Sequence, residues 1–420
     1  MIAKRLNWYL ESQNLLTPRQ AGFRPLHSTN EQIIQLSQNI KENLNKKENT
    51  LAIFIDFQTA YDSVWRNTLL EKLQKMAVQD NMHKWISNFI TQTFIATKYK
   101  NKISKYKQTH HGLPQGAVLS TTLFNVYIND LPDTIEKSNM KTALYADDLV
   151  MWTSTNKKNS SKLQYIGNEA LTKLKHWSTA NLMTVNTDKT NYQIFTLNHK
   201  EPAINLHYNG VPLCKTYETK YLGVTLDTKL TWQKHIANIS TLANRRLSLL
   251  KRLARKNWGS SQNTLSTTYT TYIQPILTYC SEILITTNCE KLVQTQNQAL
   301  RLITGAVKTT PIEAMEILTN IPNLKTKIEE QALIQYEKLI RLPNNNWDTY
   351  QPTNRLKTQR SYITEVRKIK EQLNIPALKE TLILPQNPLL LPPIEHYLNL
   401  SEEIKKSDTN RYHESDRPRN

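Results

Sequence analysis

The feature that most constrains this chain is a pair of adjacent carboxylates, Asp147 and Asp148, enclosed by apolar residues in the stretch ALYADDLVMW. Short apolar and aromatic arms favour strands, whereas paired aspartates favour a turn. The pattern therefore predicts a β-hairpin that presents two acids at its tip. Two like charges this close raise each other's pKa unless a cation neutralises them, and Mg²⁺ is the usual partner of carboxylates. A solvated Asp-Asp turn is the simpler alternative.

A third acid, Asp56, favours a metal site over the solvated turn. It is the first charge after residues 51–55, a continuous apolar run that predicts a buried strand. A charge in that place is costly unless it is paired or bound to a metal. With Asp147 and Asp148 it predicts a cluster that holds two Mg²⁺ ions roughly 4 Å apart for phosphoryl transfer. The nearby Asp62 is predicted instead to cap a helix over 64–76.

Several ordered motifs carry a resemblance to a known family. FIDFQTAYDSV, GLPQGAVLSTTLFNVYINDL and YADD, in that order, resemble the palm motifs of a reverse transcriptase. The similarity to jockey-like non-LTR retrotransposon enzymes extends from QAGFRPLHST to YLGVTLDTKLTWQKHI. The resemblance implies an α+β right-hand polymerase with residual fingers, a palm sheet, a helical thumb and a helical C-terminal extension. It also implies an RNA template, a DNA primer, deoxynucleoside triphosphates and two Mg²⁺ ions.

The same resemblance gives four further residues a role at the nucleotide. Arg24 would grip the triphosphate, since arginine forks onto phosphate oxygens. Tyr61 would pack beneath the sugar and clash with a 2′-hydroxyl, Gln115 would contact the nucleotide or template, and Lys189 would protonate the leaving pyrophosphate. The residues alone also allow a solvated Arg24, a buried Tyr61 and a surface Lys189.

Composition indicates a polyanionic partner, because the formal net charge is +19 and the sequence pI is near 9.6. A membrane partner is disfavoured, since no run approaches the roughly 20 apolar residues of a spanning helix and no signal pattern begins the chain. The three cysteines show no CxxC spacing, which predicts a reducing intracellular compartment. For a retrotransposon enzyme this implies synthesis in the cytoplasm and work in the nucleus.

Two basic segments are candidates for nucleic-acid contact. Residues 98–111 alternate lysines with tyrosines, which predicts an exposed ribbon that either lies on a phosphate backbone or is a lysine-protected edge. Residues 231–257 predict a long helix with leucines, Leu249 among them, packed inward and cations outward. That helix suits a thumb lying on duplex, or one docked on an acidic protein. Its candidate nucleic-acid contacts are Arg245, Arg246, Arg252 and Arg255.

The chain is predicted to divide into fingers and palm over 1–230, a helical thumb and post-thumb region over 231–342, and a proline-containing, linker-like tail over 343–420 with a helix over 362–373. Compared with the resembled enzymes it begins late, inside the fingers, which predicts an incomplete grip on the nucleotide and weak extension. Two rival functions remain open. A maturase-like RNA-binding protein needs no acids, and a Mg²⁺-dependent nuclease needs neither Tyr61 nor GLPQG.

Overall fold

A computed structural model describes residues 1–255, 259–342, 347–353 and 355–376. The strands are β1 (Glu48–Ile55), β2 (Phe94–Ile95), β3 (Lys98–Tyr99), β4 (Lys102–Ile103), β5 (Lys107–Gln108), β6 (Lys141–Tyr145), β7 (Asp148–Asn156), β8 (Asn191–Phe195), β9 (His207–Tyr208), β10 (Val211–Pro212), β11 (Cys214–Thr216), β12 (Glu218–Tyr221) and β13 (Val224–Asp227). The helices are α1 (Ile2–Ser12), α2 (Thr29–Asn45), α3 (Arg66–Lys75), α4 (Asp80–Thr91), α5 (Val118–Ile128), α6 (Leu131–Glu136), α7 (Ser160–Ala180), α8 (Gln233–Leu253), α9 (Gln262–Thr268), α10 (Gln274–Thr278), α11 (Glu290–Thr304), α12 (Ile312–Thr319), α13 (Leu324–Arg341) and α14 (Tyr362–Gln372).

The centre of the fold is a sheet of strand order β11-β8-β1-β7-β6. Strand β1 is antiparallel to both of its neighbours, β7 and β8, while β11 joins the edge in parallel with β8. All of β1 except its first residue is buried. A strand covered on both faces reads as a continuous apolar run rather than an alternation. The predicted buried strand over 51–55 is therefore confirmed.

Each face of the sheet has its own hydrophobic core, because successive side chains of a strand point to opposite faces. Leu51, Ile53 and Ile55 pack with α1 and α3 to α7 on one face. Ala52 and Phe54 pack with α2 and α8 to α14 on the other. A shift of β1 by one residue would exchange these two sets, so both cores fix its register.

Most helices lie where the periodicity predicts them, but the capping role of Asp62 was wrong. Helix α3 begins at Arg66, and Trp65 occupies the position before it with no side-chain cap. The Asp62 carboxylate instead accepts a hydrogen bond of 3.0 Å from Gln115 Nε2. Its nearest partner is therefore a side chain 53 residues away along the chain.

Helix α8 is shorter than the predicted 231–257. The Asp227 carboxylate accepts hydrogen bonds of 3.0 Å from the backbone N–H groups of Thr231 and Trp232, and Trp232 takes a left-handed φ of 63°. The helix therefore begins at Gln233 and ends at Leu253, and residues 256–258 lie outside the described residues.

The predicted inward packing of Leu249 on α8 was wrong. Leu247 and Leu250 are buried, but Leu249 is 41% exposed. Residues three or four apart share one face of a helix, so Leu249, two residues from Leu247, turns away from the core.

Helix α14 packs on the core formed by α8 to α13. Its residues Tyr362, Ile363 and Val366 are buried, and the Tyr362 hydroxyl donates a hydrogen bond of 2.7 Å to Ala332 O. The helix predicted over 362–373 is confirmed, and this part of the predicted tail is packed rather than linker-like. The tail beyond residue 376 lies outside the described residues. Among the helices described, none has both the length and the apolar composition for crossing a bilayer.

Candidate active site

The two adjacent acids lie at one end of the β6–β7 hairpin. Tyr145 pairs with Asp148, so the connecting turn consists of Ala146 and Asp147 alone, and Asp148 is the first residue of β7. The predicted hairpin is confirmed, with its turn one residue earlier than expected. Ala146 has a φ of 57°, a left-handed conformation that costs a residue with a Cβ about 1 to 2 kcal/mol. Contacts outside the hairpin must stabilise that turn.

The buried side chain of Gln20 supplies those contacts. Its Nε2 donates to Ala146 O at 3.0 Å, and its Oε1 accepts from Ala146 N at 2.9 Å and from Gly22 N at 2.8 Å. One carboxamide thus pairs with both backbone polar groups of the left-handed residue. Sequence patterns did not identify Gln20, because its partner lies 126 residues away and QAGF indicates only a loop. We regard Gln20 as a positioning residue.

Gly22 lets the loop before α2 approach the turn backbone to backbone. A Cβ on Gly22 would lie 2.2 Å from Ala146 N, so no other residue fits without a shift of the turn. Asn125 of α5 donates a hydrogen bond of 2.8 Å to Gly22 O, and Ala21 N donates one of 2.9 Å to Leu144 O of β6. The loop and the hairpin therefore form one fixed unit.

Asp56 lies at the same edge of the sheet as Asp148. Ile55 pairs with Leu149 in the antiparallel β1–β7 register, so the next residue of each strand toward this edge is Asp56 and Asp148 respectively. The loop before β8 holds Asp56 in place, because Asn186 N donates to Asp56 O at 2.8 Å and Asp56 N donates to Thr190 Oγ1 at 3.3 Å. The three acids that the sequence predicted to cluster are brought together.

Burial and neighbouring negative charges perturb the protonation of Asp147 and Asp148. Desolvation raises the pKa of Asp147, and the negative charge of Asp56 raises that pKa further. Desolvation, followed by the charges of Asp147 and Asp56, raises the pKa of Asp148 to about 6. In each case the carboxylate form is disfavoured first by burial and then by neighbouring negative charge that is not compensated. The edge of the sheet is therefore a place where a cation is electrostatically favoured.

The acids fit a divalent cation by donor chemistry and by charge, since they offer only carboxylate oxygens and repel one another when ionised. Among the described residues, no group of three or more His, Cys, Asp or Glu side chains is arranged so that it could hold a metal ion. Removing the repulsion with a cation would allow the carboxylates to approach more closely.

Tyr61 lies between the acids and the helix layer. Its ring stacks on Phe124 of α5, with centroids 4.6 Å apart and planes inclined by 14°. Burial and then the charge of Asp147 raise the pKa of Tyr61 above its ordinary value. The tyrosine hydroxyl is buried and has no hydrogen-bond partner among the described residues. The ring is thus held beside Asp147 by packing against the core, including its stacking on Phe124, and not by a hydrogen bond from its hydroxyl to any described residue.

The GLPQG loop is joined to the segment that follows Asp56. Leu113 N donates to Tyr61 O at 2.9 Å, and a Cβ on Gly112, whose φ is 80°, would lie 2.9 Å from Asp62 O. Gly112 is therefore needed both for its backbone conformation and for the close approach. Gln115 is exposed on this loop, and its Nε2 bonds to Asp62.

Lys189 is exposed in the turn that connects Asn186 to β8. Asn186 is the direct backbone partner of Asp56, and Asn186 Oδ1 accepts a bond of 3.4 Å from Lys189 N. Lys189 is thus placed on a turn that is anchored to Asp56, with its side chain in solvent. Its role as general acid stays a prediction.

Comparison with known proteins identifies the family of this chain. Residues 1–226 of the 420 match the family described as reverse transcriptase (RNA-dependent DNA polymerase). The chain belongs to the reverse transcriptase family. Members of this family generally depend on a divalent metal. The α+β right-hand polymerase class predicted from the sequence is confirmed.

Relatives confirm the resemblance to jockey-like enzymes. The chain is 30% identical over 315 residues to the probable RNA-directed DNA polymerase from transposon BS of Drosophila melanogaster, covering 72% of this chain and 34% of that protein. It is 29% identical over 338 residues to the RNA-directed DNA polymerase from mobile element jockey of Drosophila funebris, covering 78% and 36%. The chain spans about a third of the length of these relatives. A solved structure of apo telomerase from Candida tropicalis overlaps with a TM-score of 0.45 at 13% identity, covering 87% of this chain and 55% of that one.

Arg24 occupies a structural position in this reverse transcriptase chain. Its guanidinium pairs with Glu11 of α1 at 2.8 and 2.6 Å, and Nη1 donates to Thr17 O at 2.7 Å and to Gln20 O at 3.1 Å. Four of the five N–H groups of a guanidinium are thereby used, and less than a tenth of either charged side chain is exposed. These contacts favour a brace for the loop that carries Gln20. A contact of Arg24 with nucleotide stays a prediction.

The four arginines of the predicted thumb helix differ in their surroundings. Arg245, Arg252 and Arg255 are exposed. Arg246 is half-buried, with its guanidinium 4.3 Å from the centroid of the Tyr272 ring and Nη1 donating 2.8 Å to Tyr272 O. Arg246 therefore joins α8 to the segment after α9.

The hydrogen bonds between Gln20 and the hairpin turn can be tested by removing the Gln20 carboxamide. Gln20→Ala leaves the N–H and C=O of Ala146 buried and unpaired, so we expect a loss of about 2 kcal/mol in the free energy of unfolding. Urea unfolding followed by circular dichroism measures this loss. Gln92→Ala, at an exposed glutamine after α4, is the matched control. Equal stability of the two variants would remove Gln20 from its positioning role.

The raised pKa of Asp148 predicts a dependence of stability on pH in metal-free buffer. The folded chain holds this proton up to pH about 6, whereas an ordinary aspartate loses it near 3.8. The folded state thus binds more protons between these values, so stability falls as pH rises from about 4 to about 6. The melting temperature of Asp148→Asn should therefore rise relative to that of the natural chain as the pH increases from about 4 to about 6. Above pH about 6 the difference in melting temperature should stay constant. Glu71→Gln, at an exposed acid of α3, should show no such change. A pH-independent difference for Asp148→Asn would contradict the assignment.

Proposed function

We propose that this chain is the polymerase portion of an RNA-directed DNA polymerase of a non-LTR retrotransposon, which adds deoxynucleotides to a primer 3′-hydroxyl on an RNA template. The observation that carries the proposal is the meeting of Asp56, Asp147 and Asp148 at one sheet edge, beside the fixed ring of Tyr61, in a reverse transcriptase chain. The relatives named as RNA-directed DNA polymerases support the same reaction.

In this proposal Asp56 and Asp147 hold two Mg²⁺ ions and Asp148 supports them. When bound, Mg²⁺ activates the primer 3′-hydroxyl and neutralises the triphosphate and the leaving pyrophosphate. The chain's own part is to keep the acids in register, and Gln20 contributes by holding Ala146 in its left-handed conformation. Positioning of this kind is a large share of what a phosphoryl-transfer enzyme provides.

Three residues act on the nucleotide in the proposal. Tyr61 lies beneath the sugar, where its ring, already stacked on Phe124, leaves no room for a 2′-hydroxyl. Gln115, held by Asp62, contacts the nucleotide or the template base. Lys189 gives a proton to the pyrophosphate from the turn anchored to Asp56.

The nucleic acid is bound by the helical region that follows the sheet. The exposed Arg245 and Arg252 lie on the solvent side of α8, and the exposed Arg255 follows two residues after its end, where they suit contacts with duplex phosphates. This assigns residues 1–230 to fingers and palm and 231–342 to thumb and post-thumb. The net charge of +19 supports a polyanionic partner. In this proposal the enzyme acts in the nucleus.

Removal of one acid separates chemistry from binding. Asp147→Asn should lower primer extension on an RNA template with Mg²⁺ by at least about 100-fold, because metal ligation contributes several kcal/mol to such transfers. Binding of the RNA-DNA hybrid should stay within about three-fold, since affinity comes mainly from basic surfaces. Glu71→Gln controls for loss of an acid elsewhere. Extension by Asp147→Asn at the level of this control would refute the proposed function.

The role of Tyr61 can be tested through the sugar of the incoming nucleotide. Tyr61→Val removes the ring and should raise ribonucleotide incorporation relative to deoxyribonucleotide by about ten-fold or more, since relieving a steric clash of about 1.4 kcal/mol has that effect. Tyr61→Phe keeps the ring and should keep the discrimination. Single-nucleotide addition gives both rates. If Val and Phe variants discriminate equally, Tyr61 is a packing residue only.

A further inference from the structure

The segment 94–108, which we call the lysine-tyrosine arm, is a ribbon in which β2 pairs with β5 and β3 pairs with β4. Every residue of the arm is exposed. Its large apolar side chains include Phe94, Ile95, Tyr99, Ile103 and Tyr106, each more than half exposed. A two-stranded ribbon that buries none of its side chains is only marginally stable in water. The arm therefore gains stability when a partner covers it.

The positive charge of the arm indicates that this partner is negatively charged. The arm carries five lysines and no acid, and the sequence contains no Asp or Glu anywhere between Asp80 and Asp130. The arm lysines are Lys98, Lys100, Lys102, Lys105 and Lys107. Without internal carboxylates to neutralise them, these cations suit a polyanion.

The placement of the tyrosines distinguishes a single strand from a duplex. Tyr99 is paired across the ribbon with Lys102, which puts both on one face, and Lys100 Nζ lies 5.7 Å from the Tyr99 ring centroid. Tyr99 and Tyr106 are 73% and 71% exposed. A duplex offers phosphates but keeps its bases stacked inside, so these rings would gain nothing from it. An unpaired strand offers phosphates to the lysines and base faces to the rings.

The base of the arm is fixed to the active site. Arg66, only 4% exposed, donates hydrogen bonds to Gly112 O at 3.0 Å, to His111 O at 3.1 Å and to both the carbonyl and the hydroxyl of Thr109. Arg66 is the first residue of α3 and follows directly on the loop that carries Tyr61. A strand bound to the arm is thereby held at a fixed position relative to Tyr61 and the acids.

We propose that the lysine-tyrosine arm binds single-stranded RNA, with bases stacked on Tyr99 and Tyr106 and phosphates on its lysines. The inference rests on the proposed function in one respect, which is that the bound strand is the unpaired template next to the active site. It adds a binding site to the polymerase that the acids and the thumb helix do not provide.

The test measures binding without catalysis, using fluorescence anisotropy in buffer free of divalent metal. The probes are a 20-nucleotide uridine RNA and a 20-base-pair RNA-DNA duplex. Tyr99→Ala with Tyr106→Ala should weaken binding of the single strand by about five-fold or more for each ring and leave the duplex nearly unchanged. Tyr99→Phe with Tyr106→Phe should retain affinity, since the ring face is kept. Tyr165→Ala, at a tyrosine of α7 that is 69% exposed, is the matched surface control.

The lysines are tested through salt dependence. Replacing Lys98, Lys102 and Lys107 with Gln should lower the slope of log affinity against log salt by roughly 0.7 for each phosphate of a single strand that is no longer neutralised by a lysine. Single-strand affinity and slope equal to those of the natural chain in both sets of variants would overturn the proposal, as would an equal weakening of duplex binding. Because no extension is measured, this result is independent of Asp147→Asn. Loss of the arm site leaves the polymerase assignment intact, and failure of Asp147→Asn leaves RNA binding by the arm intact.

Discussion

Repulsion among three carboxylates at one edge of a sheet is the constraint on which the rest of the structure depends. Burial and then the negative charge of neighbouring acids raise the pKa of Asp147 and of Asp148, so holding these carboxylates beside Asp56 costs folding free energy until a cation binds. Packing elsewhere in the chain must supply the free energy that holding these acids together costs. Two separate cores hold β1 and β7 from opposite faces, and a slip of either strand by one residue would exchange side chains between these two cores and disrupt the packing of both. The acids therefore stay together because moving them apart would disrupt both hydrophobic cores that flank the sheet.

The loop before α2 is part of the same support, although none of its residues is an acid of the site. Gln20 holds the left-handed Ala146, and Arg24 in turn donates to Gln20 O while it pairs with Glu11 in a nearly buried ion pair. Removing one partner of such a pair typically costs about 3 to 5 kcal/mol, because the other charge stays buried. These contacts run from α1 through Arg24 and Gln20 to the hairpin turn at Ala146 and Asp147. This chain of contacts explains why an arginine in a loop near a polymerase site need not touch nucleotide.

The parts of the site that the sequence predicted are those set by local patterns. A continuous apolar run ending in Asp56 and an acid pair between apolar arms specify a buried strand and a hairpin without reference to the rest of the chain. The parts it did not predict depend on distant partners. Asp62 bonds to Gln115, 53 residues away, instead of capping α3, and Gln20 reaches a turn 126 residues away. Leu249 shows the same limit, since its exposure follows from which side of α8 meets the core. Side-chain pairs of this kind leave no periodicity in the sequence.

The short segment 61–66 brings these elements to a single junction. The Tyr61 ring stacks on Phe124, Asp62 accepts a bond from Gln115, and Arg66 holds the base of the lysine-tyrosine arm. Because the segment begins only five residues after Asp56, a displacement at any of these contacts is transmitted to the acids over a short stretch of backbone. Phosphoryl transfer is sensitive to such displacements, since misplacement by about 1 Å can cost 100-fold in rate. Tyr61, Gln115, the base of the lysine-tyrosine arm and the three acids are therefore mechanically coupled through this one segment.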